Sequence, residues 1–177
     1  TSGKGFFQNL TGFLFRKQAG LRPDSTLPVI KTDLQTLNLS EDLLVWFGHS
    51  SYLIQMEGKR LLVDPVFCTA APVSFVNKPF KGTEVYRPED MPDIDWAILE
   101  NGQYNEGWKY IHLMPGYMAA VARELKAAKI LTVHHSKYAL ATHPWDEPLK
   151  NARRMRDRDS LPVVIPQIGE VVNMTGH

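Results

Sequence analysis

The chain has 177 residues, 44% of them hydrophobic, with a formal net charge of +1 and a pI near 7.8. That is enough chain for one domain with a real core, and the near-neutral balance excludes nucleic acid or an anionic membrane as a bulk partner. One cysteine, Cys68, excludes an intramolecular disulfide and a cysteine-rich zinc site and fits a reducing compartment, the cytoplasm, while no apolar run approaches the ~20 residues of a membrane span.

The chain opens on Thr1 rather than Met, which points to trimming. Its first stretch, GKGFFQNLTGFLFRKQAG, is basic and apolar; it reads as a short amphipathic helical arm, with a targeting signal as the alternative. RPDSTLPVIKTD, Arg22 to Asp33, is an extended connector with two prolines. Asp42 to Gln55 reads as one strand and Lys59 to Val63 as a second, joined by a tight turn at Glu57-Gly58-Lys59. Cys68 to Asp93 carries Pro72, Pro79, Pro88 and Pro92 and reads as an irregular surface loop. Asp95 to Asn101 is an apolar run too short for a helix, hence a buried strand. Pro115 to Ala128 is a helix with proline in its first turn. Lys129 to Val133 is another buried strand, Glu147 to Asp159 a charged helix, and LPVVIPQIGEVVNM a pair of short strands around Gly169. Residues 1–41 therefore form an arm and connector, and 42–177 a single α/β domain.

Histidine is the informative residue type. His49 lies inside the first predicted strand, His112 precedes a helix, and His134-His135 end a strand, where α/β folds keep their sites. His143 sits in a loop between Thr142 and Pro144. A structural role competes with a functional one at each. His134 and His135 face opposite sides if the strand continues, because strand side chains alternate. Asp64 and Glu100 end apolar strands, and both also read as turn residues. The sequence holds no G-x-S-x-G, phosphate loop, H-x-H, H-E-x-x-H or Cys-x-x-Cys.

Three segments resemble a known family. WFGHSSYLIQMEGKRLLVDPVF is similar to the N-terminal hairpin of metallo-β-lactamase-fold hydrolases of the N-acylphosphatidylethanolamine phospholipase D and ascorbate-phosphate lactonase branch. LENGQYNEGWKYIHLMP looks like the family segment with a histidine just before a helix, and VHHSKYALATHPWDEPL like its final histidine segment. The resemblance implies a shortened metallo-β-lactamase-like αββα sandwich. In the family, a strand after the hairpin delivers an H-x-H-x-D-H metal box. Here MPDIDWAILENGQYN runs past that point without one, as if an internal deletion had joined two strands near Asp93-Ile94-Asp95.

On that resemblance His134 is the surviving metal ligand and His112 a catalytic pocket residue that contacts the transition state. Asp64 matches the acid that orients a box histidine, and His49 has a structural or outer supporting role. The implied cofactor is a divalent metal, zinc by resemblance, and a two-metal centre is not expected because a catalytic zinc needs about three protein ligands. The implied activity is hydrolysis of phosphodiester, lactone or related ester bonds in a small-molecule or lipid-like substrate, impaired here. The alternative is a non-catalytic scaffold or binding module that associates through exposed sheet surface. Loss of half a sandwich leaves a sheet face bare, which predicts a homodimer.

Overall fold

A chain reversal at His49–Ser50 divides the first apolar run into two strands, Leu43–Gly48 (β1) and Ser51–Met56 (β2). Gly48 and His49 both take positive φ, +99° and +51°, the backbone that a tight antiparallel reversal demands. The single strand expected over Asp42–Gln55 is therefore two antiparallel strands, with Trp46 opposite Tyr52. His49 lies on the turn, not within a strand. Strand character on both arms masks the reversal, and the four residues Gly48-His49-Ser50-Ser51 between them are its local signal.

The second reversal, at Glu57–Gly58, also uses positive φ at both residues and leads into Lys59–Val63 (β3). The computed structural model describes residues 23–67, 79–102, 104–105, 112–138 and 141–174. The predicted N-terminal arm and residues 68–78 of the predicted Cys68–Asp93 loop lie outside these. Residues 79–93 have no strand and one 3-10 turn, Pro88–Asp90.

Trp96–Glu100 (β4), Lys129–Val133 (β5) and Val163–Val164 (β6) complete one six-stranded sheet in the order β1-β2-β3-β4-β5-β6. The first two pairings are antiparallel and the last three parallel. Ala97 to Glu100 lies beside Ile130 to Val133, as the two apolar runs predict. The expected strand pair around Gly169 is not formed. Val163–Val164 alone pairs, Gly169 makes a turn at φ +87°, and Val171 beyond it is 91% exposed. Pro166 has no N–H to give a ladder, so pairing stops at β6.

Pro115–Leu125 (α1) follows β4 and Glu147–Asp157 (α2) follows β5, each with proline in its first turn. Both end two or three residues earlier than predicted. Lys126 turns left-handed at φ +50° and closes α1. After α2, Leu161 N–H returns to Met155 O and leads the chain into β6.

Strand register sorts the sheet into two faces. Leu53, Leu62, Ala97, Leu99, Ile130 and Val163 share one face and are buried with Met118, Ala122 and Leu125 of α1 and Ala152 and Met155 of α2. Leu34 of the connector joins this core, in a 3-10 turn, Leu34–Thr36, capped by Asp33. Gln55, fully buried, donates from Nε2 to Asn38 O (2.7 Å) and Glu41 O (2.8 Å), which holds the connector on the same face. Each large aliphatic side chain buried there contributes about 1.5–3 kcal/mol.

The other face carries Leu44, Trp46, Tyr52, Ile54, Leu61, Val63, Ile98 and Leu131, half-buried or exposed, together with Trp96, which is buried. The α/β class predicted from sequence holds. Among the described residues, however, there is one sheet covered by helices on one face, not the two sheets of an αββα sandwich.

Candidate functional site

Parallel pairing sets the carboxyl ends of β3, β4 and β5 side by side, the edge at which open α/β sheets hold their ligands. Glu100 is the last residue of β4, and His134 directly follows β5. His112 comes from the segment before α1. Their side chains converge on one carboxylate. His112 Nδ1 is hydrogen-bonded to Glu100 Oε1, and His134 Nδ1 stands 3.8 Å from the same oxygen. The Glu100 side chain is 11% exposed, against 28% for His112 and 48% for His134. A half-sheltered carboxylate thus faces two imidazoles that open toward solvent. Because the carboxylate accepts from Nδ1–H, it fixes the tautomer of His112 and leaves the basic lone pair on Nε2.

Backbone geometry makes this cluster possible. His134 adopts φ +67°, so it leaves the strand path and does not continue its alternation. Its carbonyl packs against Gly102 so closely that a Cβ at 102 would lie 1.8 Å from the oxygen. Beyond it, Asn101 N–H donates to Val133 O (3.0 Å), and the buried Asn101 side chain donates to Pro148 O (2.8 Å) at the start of α2. Tyr104 extends this support: its hydroxyl accepts from Asn151 Nδ2 (2.7 Å) and meets Glu147 Oε1 (3.1 Å). Burial, then the Glu147 carboxylate, pushes the Tyr104 phenol well up from its ordinary value.

His135 and His143 make local contacts away from this cluster. His135 Nε2 lies 3.1 Å from Thr132 O, and Nδ1 lies 2.6 Å from Ser136 Oγ. Burial lowers its pKa, in keeping with a neutral ring that donates at one nitrogen and accepts at the other. It turns away from His134, so the two make no pair toward Glu100. His143 stacks on Tyr104 at 4.2 Å and contacts Gly102 O through Nε2 at 3.0 Å.

Asp64, at the end of β3, lies on the same sheet edge but is engaged by the hairpin. Ser50 Oγ donates to its carboxylate (2.5 Å), Ser51 Oγ to its carbonyl (2.6 Å), and its own N–H to Ile98 O (2.9 Å). With φ at +42°, Asp64 is a turn residue held in place. His49, at the hairpin tip, has an exposed side chain, and its carbonyl accepts from Trp46 Nε1 (3.0 Å). So the structure brings His112 and His134 together, and Asp64 to the Ser50–Ser51 corner.

Glu100 is the residue sequence reading placed in a turn. An acid closing an otherwise apolar parallel strand was its available signal. Among the described residues, no group of three or more His, Cys, Asp or Glu is disposed to hold a metal ion. Both Nδ1 atoms of the cluster are directed at a single carboxylate oxygen. The donor set therefore does not fit the metal that the family resemblance implies. Among the same residues, no helix is long and apolar enough to cross a membrane.

No family model matches the chain. It is 35% identical over 88 residues to N-acyl-phosphatidylethanolamine-hydrolyzing phospholipase D 1 of Caenorhabditis elegans, covering 46% of this chain and 24% of the enzyme. It is 46% identical over 46 residues to an outer membrane protein of Klebsiella pneumoniae, covering 26% of this chain and 35% of that one. An uncharacterized protein of Mycobacterium bovis is 28% identical over 90 residues, 49% of this chain and 24% of the relative. The chain thus spans about a quarter to a third of the length of these curated relatives. A solved structure from Thermotoga maritima, assigned as a Zn-dependent hydrolase of the metallo-β-lactamase superfamily, is 17% identical over 60% of this chain and 84% of its own, at a TM-score of 0.30, too low to carry an argument. The chain is similar in sequence, over part of its length, to a phospholipase D of the N-acylphosphatidylethanolamine type.

Proposed function

We propose that this chain is a shortened hydrolase domain of the metallo-β-lactamase kind. On this reading it derives from enzymes that cleave phosphodiester, lactone or related ester bonds, and its metal-dependent turnover is impaired. The observation that carries the reading is the Glu100–His112–His134 cluster at the carboxyl ends of two adjacent parallel strands. The partial likeness to a phospholipase D supports a phosphodiester or lipid-like ester as substrate.

In this cluster His112 is the catalytic residue and Glu100 its positioning residue. A water attacking the ester gives its proton to His112 Nε2, the imidazolium is stabilised by the Glu100 carboxylate, and the proton returns to the leaving oxygen. General acid–base action of this type is worth about 10²–10⁴-fold. His134, the ligand implied by resemblance, lacks two further protein ligands among the described residues, so no step is assigned to a metal.

The test is hydrolysis of bis(4-nitrophenyl) phosphate and of vesicles containing N-acylphosphatidylethanolamine, each with added Zn²⁺ and with EDTA. We expect slow turnover, equal in both conditions, that falls ~10²-fold in His112→Ala. Turnover that requires Zn²⁺ and disappears in EDTA would overturn the impairment. Background turnover indifferent to His112→Ala would remove the catalytic role.

A further inference from the structure

We infer that the cavity between the loop leaving β5 and the start of α2 binds the headgroup of a phosphodiester substrate. Lys137 takes the phosphate charge, and Tyr138 and Trp145 take the carbon groups esterified to it. Calling that ester a substrate rests on the hydrolytic reading of the Glu100 cluster.

Ser136, Lys137, Tyr138 and Trp145 line a cavity of about 230 Å³. Both of its walls belong to the carboxyl edge of the sheet. One wall follows β5, where His134 and Ser136 adopt φ +67° and +66° and turn the chain out of the strand path. Ser136 Oγ is tied there to His135 Nδ1 at 2.6 Å. The other wall is the loop before α2. His143 holds it, stacked on Tyr104 at 4.2 Å and 3.0 Å from Gly102 O. The cavity thus begins two residues past His134, on the edge that carries Glu100.

The lining says what is missing. Tyr138 is 67% and Trp145 68% exposed. Two large aromatic side chains around one cavity form a recognition surface, unlike exposed residues scattered singly. Lys137 Nζ lies 5.9 Å from the centroid of the Tyr138 ring, so the cavity already holds a cation at an aromatic face. Lys137 makes no ion pair among the described residues. Asp146, beside Trp145, is paired with Lys150 at 2.8 Å. A cationic ligand would compete with Lys137 for the ring, whereas an anionic one completes the site.

Charge and size then select among the bonds proposed above. A phosphodiester keeps a negative charge at neutral pH, and a carboxylic ester or lactone linkage does not, so Lys137 favours the phosphodiester. A volume of about 230 Å³ falls below the ~300–1,000 Å³ that encloses a drug-sized ligand. It suits a headgroup with one ring or a glycerol-sized fragment and leaves any acyl chain outside.

Titration of the full chain with bis(4-nitrophenyl) phosphate, followed by NMR at the backbone amides of Ser136–Tyr138, tests the binding. We expect a saturable shift with a dissociation constant below ~10 mM. Trp145→Ala should weaken it about three- to tenfold. Lys137→Gln should weaken it about two- to fivefold, more at low salt than at high salt, and Lys137→Arg should retain it. The uncharged 4-nitroanisole should bind at least ~twofold more weakly than the diester. Vesicles containing N-acylphosphatidylethanolamine that displace the diester identify a lipid headgroup as the natural source, and vesicles without effect identify a soluble phosphodiester. Absence of a shift overturns the proposal, as does binding indifferent to Lys137→Gln and Trp145→Ala or equal for 4-nitroanisole. Binding that depends on Lys137, in a chain with no turnover dependent on His112, keeps the site and removes the hydrolytic reading. Turnover that depends on His112, without the amide shifts, removes the site alone.

Discussion

A Cβ built on Gly102 would stand 1.8 Å from the carbonyl oxygen of His134, well inside van der Waals contact. The loop leaving β4 and the loop leaving β5 touch backbone to backbone at this point. Because Glu100 and His134 flank the contact, any methyl group there moves one relative to the other. Gly102→Ala is expected to destabilise the domain by about 1–3 kcal/mol, the ordinary range for overpacking. Urea unfolding measures it, and a substitution that leaves the midpoint unchanged would contradict the contact.

Buried and exposed aliphatic side chains imply different sensitivities. Leu53 is fully buried beneath the helices, whereas Ile168 is 85% exposed. Leu53→Ala should cost about 2–5 kcal/mol, and Ile168→Ala no more than ~0.5 kcal/mol. Equal effects of the two in denaturant unfolding would contradict the burial of Leu53 in the core.

Asp64 separates a turn role from a chemical one. Its positive φ of +42° suits Asp or Asn, and its carboxylate receives the Ser50 hydroxyl. Asp64→Asn should therefore cost less than ~1 kcal/mol. Asp64→Ala, which loses a charge-assisted hydrogen bond, should cost about 1.5–3 kcal/mol. Parallel unfolding curves for the two variants decide the ordering.

Tyr104 predicts an alkaline weakness. Its pKa is raised in the folded chain by burial and then by Glu147, from an ordinary value of 10.0. Above that value the unfolded chain releases the phenolic proton while the folded chain keeps it, so stability is full below pH ~10 and falls as pH rises beyond it. In Tyr104→Phe the slope of stability against pH above 10 should flatten. A variant whose alkaline slope equals that of the parent would show that Tyr104 does not carry this linkage.

Local chemistry made much of the fold legible. The Glu57–Gly58 reversal, the proline-led starts of α1 and α2, and the Ala97–Ile130 alignment all follow from residue type and apolar run length. The reversal at His49–Ser50 had a signal in Gly48-His49-Ser50-Ser51, but strand character on both sides outweighed it. The failed strand at Val171 has a different cause: its composition suits a strand, but Pro166, between it and β6, has no N–H to give a ladder. At the site, His112 and His134 were visible through their family-like segments. Glu100 was not, since an acid before Asn-Gly is equally at home in a turn.

The sequence by itself determined which segments bear apolar faces, where helices begin, and which histidines stand at strand ends. These depend on interactions within a few residues. Only the tertiary structure decided that Glu100, His112 and His134 share one carboxylate oxygen, that Ser50 holds Asp64, and which sheet face the helices cover. Each of these depends on register and parallel pairing between segments distant along the chain. A one-residue shift in such pairing moves every side chain to the opposite face, and a strand's own composition does not say which neighbour it will find.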